Sequence, residues 1–334
     1  MRNRVAAELG YTSYFHLQVA DYGMTVAEMM ALMDKTVADM RPIYSKLHEY
    51  ARKQWADRYK QPIPEKLPAH WTSNRWGQEW PGLVDESKSP EWIVKQAERF
   101  YTSLGMQPLL KSFWEKSDLY ELPAGSKRRK NTHTTAWNID LEQDVRSLMS
   151  VTPNFRWFGT THHELGHVYY YLAYNRPEVP AVLREGANRA CHEAIGDLIA
   201  IAAHQLPYLR DIGIPPKDAK IDDRQWLLNE ALDSAVVFLP WGAGVMSHFE
   251  HELYEKKLPA GPVQQALVGT RGSISGDGPA DAARRGVLRR LHQDSHHRRC
   301  RPILRLRNGL PSSRIRITAI TMGTRKWVSG SATF

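Results

Sequence analysis

The sequence predicts a mainly α-helical protein. Apolar residues recur at intervals of three and four through much of the first 260 positions, which is the period of an amphipathic helix. Only short segments, such as "HTTAWNID" at 133–140, look extended, and no internal repeat is visible. At 334 residues with 42% hydrophobic residues, the chain is long enough to form one large domain or two ordinary ones around a sizeable core.

The amino-terminal half contains two well-marked helices. Residues 26–59 keep the helical period over their whole length, with Pro42 as a candidate kink. Residues 89–105, "SPEWIVKQAERFYTSLG", open with Ser-Pro-Glu, which is a cap followed by a first-turn signal, and they close on glycine.

Two further helices flank a proline-containing connector. They are "TTHHELGHVYYYLAY" at 160–174 and "CHEAIGDLIAIAAHQ" at 191–205, and "NRPEVPAVLREGAN" lies between them. The tyrosines of 169–171 are interpreted as core packing. Another helical pair is predicted over residues 223–257. The body up to residue 260 is therefore read as helical.

Membrane insertion, export and disulfide bonding each leave a recognisable pattern in a sequence. No run of 18 apolar residues exists, so no membrane-spanning helix is expected. The first 30 residues lack the features of a secretory signal, so no export signal is expected unless the true start lies upstream. Cys191 and Cys300 are too few for a disulfide framework.

The composition changes after Pro259. Residues 261–334 contain 13 Arg, one Lys and three Asp, so they carry more positive charge than the whole chain, whose net charge is +9. A nucleic-acid-binding module is one interpretation of this charge. Against it, Trp327 is the only aromatic residue of this stretch before Phe334, so platforms for base stacking are missing.

The stretch "HHELGH" contains the elements of a metal site. His163 and His167 lie four residues apart, on one face of a helix, where their imidazoles can meet at one ion. Glu164 then lies beside the open coordination position, where it can take a proton from water. Taken alone, the motif is equally compatible with a solvated helical face.

A third ligand is available 26 residues after His167. Glu193, followed one helical turn later by Asp197, lies among apolar and small residues, so this helix is expected to be buried. Buried carboxylates need a partner, and a divalent cation is a suitable one. The sequence therefore predicts one zinc ion bound by His163, His167 and Glu193, with the fourth position left to water.

These motifs resemble the zinc-site region of the angiotensin-converting enzyme family, the peptidyl-dipeptidase A metallopeptidases. The resemblance includes "LREGANRACHEAIGD", "LPAHWTSNRWGQEW", "FYTSLGMQPLLKSFWEKS" and "HTTAWNID", and it covers residues 1–260. It implies a mainly helical, two-lobed gluzincin body, incomplete at both ends, with zinc at the floor of a central cleft. It also implies removal of C-terminal dipeptides from peptides, and a periplasmic, extracellular or membrane-associated location.

The resemblance also implies a role for individual residues. Glu164 is the general base and acid, and Asp197 orients a zinc ligand. His133 contributes to catalysis, and with Ala136 it lines the cleft and holds the substrate backbone. Gln78 helps to bind the terminal carboxylate of the substrate, and Glu185 lies near the site.

The residues after 260 depart from the family pattern. The family supplies a Lys-x-His segment and a pair of tyrosines there, and neither is present in frame. Reading Val287 to Gly309 one base out of frame, with suitable codons, yields a string that contains both. We therefore expect 261–334 to be an out-of-frame, disordered tail, from a natural frameshift or a sequencing error. The alternative function is then a catalytically impaired or inactive zinc-binding fragment.

Sequencing the gene across codons 255–334 tests this hypothesis. We expect a missing or an extra base close to the codon of Gly261. A single uninterrupted reading frame through these codons would remove the hypothesis.

Overall fold

The computed structural model describes residues 1–68, 71, 88–131, 133–215, 219–232 and 244–259, together with 265, 267, 270, 277 and 278. These residues are mainly helical, which confirms the predicted fold class. The chain divides into two compact units, residues 1–81 with 227–334, and residues 82–226. Gln78 and nearly all of the tail expected over 261–334 lie outside the described residues.

The first unit contains the longest helix of the described chain. Helix α3 (Val26–Tyr59) starts at a capping box in which the Thr25 hydroxyl and the Glu28 carboxylate satisfy each other's backbone N–H groups. It continues through Pro42 to Tyr59, and the C-cap residue Lys60 has a left-handed conformation. The predicted helix over 26–59 is confirmed. The unit's elements are α1 (Arg2–Glu8), α2 (Tyr14–Ala20), α3 (Val26–Tyr59) and β1 (Leu67–Pro68).

The second unit contains more helices and a small sheet. Its elements are α4 (Pro90–Ser103), α5 (Lys111–Lys116), β2 (Asp118–Tyr120), β3 (Thr135–Asn138), β4 (Val145–Val151), α6 (Phe155–Tyr174), α7 (Arg189–Ala203) and α8 (Leu206–Asp211). Helix α9 (Asp223–Ala231) begins in this unit. The predicted helices over 89–105, 160–174 and 191–205 correspond to α4, α6 and α7.

The first unit also holds α10 (Ser247–Glu250), a π-helical turn (His251–Glu255) and β5 (Asp277–Gly278), which pairs in parallel with β1.

The sheet of the second unit has the strand order β2-β4-β3. Strand β4 pairs antiparallel with β3 and parallel with β2. Strand β3 lies within the segment that the sequence showed as extended, whereas β4 was not predicted. In β4, Ser147 and Ser150 are buried along with the apolar residues, so the alternation that identifies a half-exposed strand is missing.

Helices α6 and α7 pack closely because two glycines face each other. A Cβ atom on Gly166 would lie 2.6 Å from the Cα of Gly196. A Cβ atom on Gly196 would lie 2.8 Å from the carbonyl oxygen of His163 and 2.9 Å from its ring. Only glycine leaves room for this approach, which brings the middle of α7 against the imidazoles of α6.

One side of α7 is exposed, in contrast to the prediction of a buried helix. The buried residues of α7 are Ala190, Gly196 and Ala203. Leu198 is 65% exposed and Ile201 is 51% exposed. The prediction was wrong for this side because apolar composition does not show which faces of a helix are covered. No helix in the described part of the chain is both long and apolar enough to cross a membrane.

We predict that Gly196→Ala destabilises the protein, although alanine favours a helix over glycine by about 1 kcal/mol. The added methyl group would press on the backbone and ring of His163, and overpacking of this kind typically costs about 1–3 kcal/mol. Thermal unfolding should show a lower Tm. Leu198→Ala, on the exposed side of the same helix, is the control and should change the Tm less. A Gly196→Ala variant with a Tm equal to or above that of the unmodified protein would contradict the packing argument.

Candidate metal centre

His163 and His167 lie one turn apart on α6 and point toward the same space. Asn154 caps the helix by accepting a hydrogen bond from the backbone N–H of Trp157, which defines where the first turn begins. The two Nε2 atoms are 3.1 Å apart. The side chains are 17% and 12% exposed, respectively, so the pair is largely shielded from water.

Glu193 reaches the same point from α7. Its Oε2 lies 3.3 Å from Nε2 of His163 and 3.6 Å from Nε2 of His167. Four ligands at the usual zinc distances of about 2.0–2.1 Å place neighbouring ligand atoms roughly 3.3 Å apart in a tetrahedron. The three residues therefore fit a zinc ion in both donor type and spacing. Among the described residues, they are the group of histidines, cysteines and acids whose ligand atoms converge in this way.

Asp197 lies one turn beyond Glu193 and binds the other side of the His163 ring. Nδ1 of His163 donates to the Asp197 carboxylate at 2.5 Å, so its Nε2 faces Glu193 and His167. Burial lowers the pKa of His163, but the charge and hydrogen bond of Asp197, with help from Glu193, raise it well above its ordinary value. Burial and the neighbouring imidazole of His163 lower the pKa of His167.

Glu164 is buried, with 6% of its surface exposed, and its charge acts on the rings of His163 and His167. Its Oε1 accepts a hydrogen bond from the hydroxyl of Thr134 at 2.5 Å. Thr134 directly precedes β3, so this bond joins α6 to the sheet. The structure therefore places the predicted base in a restrained position and with little contact to solvent.

His133 and Ala136, the two residues expected to hold the substrate backbone, lie on the same segment as Thr134. The ring of His133 donates from Nδ1 to the carbonyl oxygen of Thr134 at 2.8 Å, which leaves its Nε2 to act as an acceptor when the ring is neutral. Ala136 pairs with Ser147 of β4, and the Tyr171 hydroxyl lies 3.5 Å from its carbonyl oxygen. In the described sheet, β3 is an edge strand.

His192 was not predicted to lie at the site, yet it contacts one of the candidate ligands. Its Nδ1 is 3.4 Å from Nδ1 of His167, and its Nε2 is 3.2 Å from the Tyr174 hydroxyl. The rings of Tyr170 and Tyr171 lie 4.5 and 4.7 Å from its ring. Tyr171 also packs against the hydrophobic core, as the core interpretation expected, and Tyr170 packs on His192. In the sequence, the helical spacing of residues 167, 170, 171 and 174 already indicates that these residues share one face of α6, the face that His192 contacts.

The core interpretation suits Tyr169, and a similar one applies to His162. Tyr169 is 5% exposed, and its ring stacks on Tyr101 at 4.4 Å. His162 is fully buried and donates from Nδ1 to the carbonyl oxygen of Phe158 at 2.7 Å. Burial lowers the pKa of His162 to about 3, so this ring is a neutral core residue. The two adjacent histidines of the motif therefore have different environments.

Glu185 is not brought into the site by any described contact. Glu185 is exposed, in the connector between α6 and α7. Its neighbour Gly186 packs against His192, because a Cβ atom there would lie 2.7 Å from that ring. Gln78 lies outside the described residues, so its predicted role stays a prediction.

The chain matches a family model described as angiotensin-converting enzyme, over residues 1–91 and 81–280. It is 32% identical over 228 residues to an angiotensin-converting enzyme of Theromyzon tessulatum, covering 61% of this chain and 36% of that protein. It is 29% identical over 265 residues to the angiotensin-converting enzyme of Sus scrofa, covering 72% and 20% of the two chains. It is 31% identical over 278 residues to an angiotensin-converting enzyme-related protein of Drosophila melanogaster, covering 74% and 43%. The chain thus spans less than half the length of each of these relatives.

We predict that Asp197→Asn weakens metal binding while the fold is retained. The neutral amide of asparagine lacks the negative charge with which Asp197 holds the Nδ1 proton of His163. Loss of such a supporting contact typically lowers metal affinity about 10- to 100-fold. Zinc affinity is measured by competition with a chromophoric chelator. Asp57→Asn, on the exposed side of α3, is the matched control. Equal zinc affinity in both variants would contradict a supporting role for Asp197.

Proposed function

The chain belongs to the angiotensin-converting enzyme family, and on that premise we propose that it is a zinc-dependent metallopeptidase that removes C-terminal dipeptides from peptides. The observation that carries the proposal is the convergence of His163, His167 and Glu193 beside the buried carboxylate of Glu164. The position of β3 at the edge of the described sheet, joined to Glu164 through Thr134, supports a peptide as the substrate.

His163, His167 and Glu193 would hold the zinc ion. Two imidazoles and one carboxylate are a usual ligand set for catalytic zinc, and three protein ligands leave one position open. A bound zinc ion makes water more acidic and polarises a carbonyl group. Asp197 holds the ring of His163 with Nε2 turned toward the ligand group, so it maintains the direction of the imidazole.

Glu164 moves the proton that peptide hydrolysis requires. The attacking water forms a bond to the carbonyl carbon of the substrate and gives one proton to the Glu164 carboxylate. When the bond between that carbon and the leaving nitrogen breaks, Glu164 passes the proton to the departing amine. A carboxylate held by one hydrogen bond to Thr134 is well placed for both transfers, since its second oxygen is available to the proton.

Strand β3 would bind the substrate backbone. An extended peptide can add to the edge of a sheet by main-chain hydrogen bonds, and β3 is the edge strand nearest to Glu164 in the described sheet. His133 and Ala136 lie on this segment and would orient the peptide. Gln78 would bind the terminal carboxylate of the peptide, and Glu185 would lie at the margin of the site.

A second candidate is a zinc-binding chain with impaired turnover. It is favoured by the residues after 260, which contain neither the in-frame Lys-x-His segment nor the tyrosine pair of the family pattern. Losing one donor to a developing oxyanion typically lowers turnover by about 10²–10³. On this proposal, the arginine-rich residues 261–334 have no nucleic-acid partner.

We predict that Glu164→Gln abolishes turnover without removing zinc. The amide has no charge with which to take a proton, and general acid–base catalysis of this kind contributes about 10²–10⁴ in rate. Release of dipeptides from a short peptide is followed by mass spectrometry, and zinc content is measured in parallel.

Glu178→Gln, in the exposed connector between α6 and α7, is the control and should keep both properties. Unchanged turnover in Glu164→Gln would contradict its role as the base. Zinc in the unmodified protein without dipeptide release would favour the second candidate.

A further inference from the structure

We propose that Thr134 is a positioning residue for the peptidase reaction, which sets the orientation of both Glu164 and His133. The proposal rests on the proposed function. Neither the motif nor the resemblance assigns a role to this residue. The tertiary structure places Thr134 between the edge strand β3 and helix α6, which carries the candidate metal ligands His163 and His167.

Thr134 contacts the two residues through different groups. Its hydroxyl donates to Oε1 of Glu164 at 2.5 Å, and its carbonyl oxygen accepts from Nδ1 of His133 at 2.8 Å. A hydroxyl that donates to a carboxylate makes a charge-assisted hydrogen bond, which is shorter and stronger than a neutral one. One residue therefore orients the predicted base and the predicted substrate-binding imidazole together.

The backbone next to Thr134 is itself firmly held. Thr135 begins β3 and pairs with Leu148 of β4, and the hydroxyl of Ser147 donates to the Thr135 carbonyl oxygen at 3.2 Å. Strand β4 is mostly buried. Sites built on paired strands hold their side chains more firmly than sites on loops. The sheet can therefore hold Thr134 against α6.

The hydrogen bond decides which oxygen of Glu164 does the chemistry. Glu164 is buried, and a buried carboxylate requires hydrogen-bond donors. Because the Thr134 hydroxyl binds Oε1, it restrains the rotation of the carboxylate. On this proposal, Oε2 is the oxygen that faces the attacking water. Without the hydroxyl, the carboxylate can rotate, and the fraction of molecules with the base correctly oriented falls.

The neighbouring threonine provides a matched comparison. The hydroxyl of Thr135 accepts a hydrogen bond from Nε1 of Trp137 at 2.9 Å, on the exposed side of the strand. The two adjacent threonines of "HTTAW" thus differ in the partner of their hydroxyl group. Removing the Thr135 hydroxyl tests the general effect of a change in this segment without affecting Glu164.

The test compares Thr134→Val, Thr134→Ala, Thr134→Ser and Thr135→Val in the zinc-loaded full chain. We expect kcat to fall about 10- to 100-fold in the valine and alanine variants of Thr134, with KM changed less than about twofold, because the hydrogen bond is made to an ionised group that acts in the chemical step. Thr134→Ser keeps the hydroxyl and should restore most of kcat. Thr135→Val leaves the hydrogen bond between Thr134 and Glu164 in place and should lower kcat much less than Thr134→Val does. Zinc content should be equal in all variants.

A structural readout separates this proposal from the proposed function. Crystal structures of the zinc-loaded unmodified protein, Thr134→Val and Thr134→Ala should show the Glu164 carboxylate in a different rotamer once the hydroxyl is removed. If Glu164 stays in place in these variants, the proposal is overturned, whatever the turnover. If the unmodified protein releases no dipeptide, the proposed function fails, while the position of Glu164 still decides the role of Thr134.

Discussion

The close approach of α6 and α7 at Gly166 and Gly196 is the constraint on which the candidate site depends. A side chain at either position would collide with the other helix, so the backbones can meet only because both residues lack a Cβ atom. This contact places Glu193 and Asp197 on opposite sides of the His163 ring. Widening the gap by even the diameter of a methyl group would separate the carboxylates of α7 from the imidazoles of α6.

The electrostatics of the site follow from that contact. Three carboxylates, of Glu164, Glu193 and Asp197, lie around two imidazoles in a region with little exposure to solvent. Buried negative charge is unfavourable unless it is compensated, and a proton on His163 or a divalent cation can compensate it. The pKa of His163 is raised because of this excess of negative charge. A cation that replaces the proton, held by Nε2 atoms and a carboxylate oxygen, satisfies the same requirement.

Local patterns were sufficient for the helices and for the histidine pair. The helical period predicted α3, and the Ser89 cap together with the period predicted α4 to within two residues, since caps and periodicity are properties of short segments. The spacing of His163 and His167 guarantees a common face once the segment is helical. Local sequence patterns failed where contacts with distant parts of the chain determine whether a residue is buried. Strand β4 contains buried serines, and α7 exposes Leu198 although its composition is that of a buried helix.

The sequence by itself determined the helical class, the candidate metal-binding histidine pair and the candidate third ligand, because these depend on residue type and on spacing along one or two helices. Only the tertiary structure decided that His192 contacts His167, that His162 is an inert core residue, and that Thr134 bonds to Glu164. These contacts join residues whose distance is set by how helices and strands pack. No periodicity within a single element carries that information.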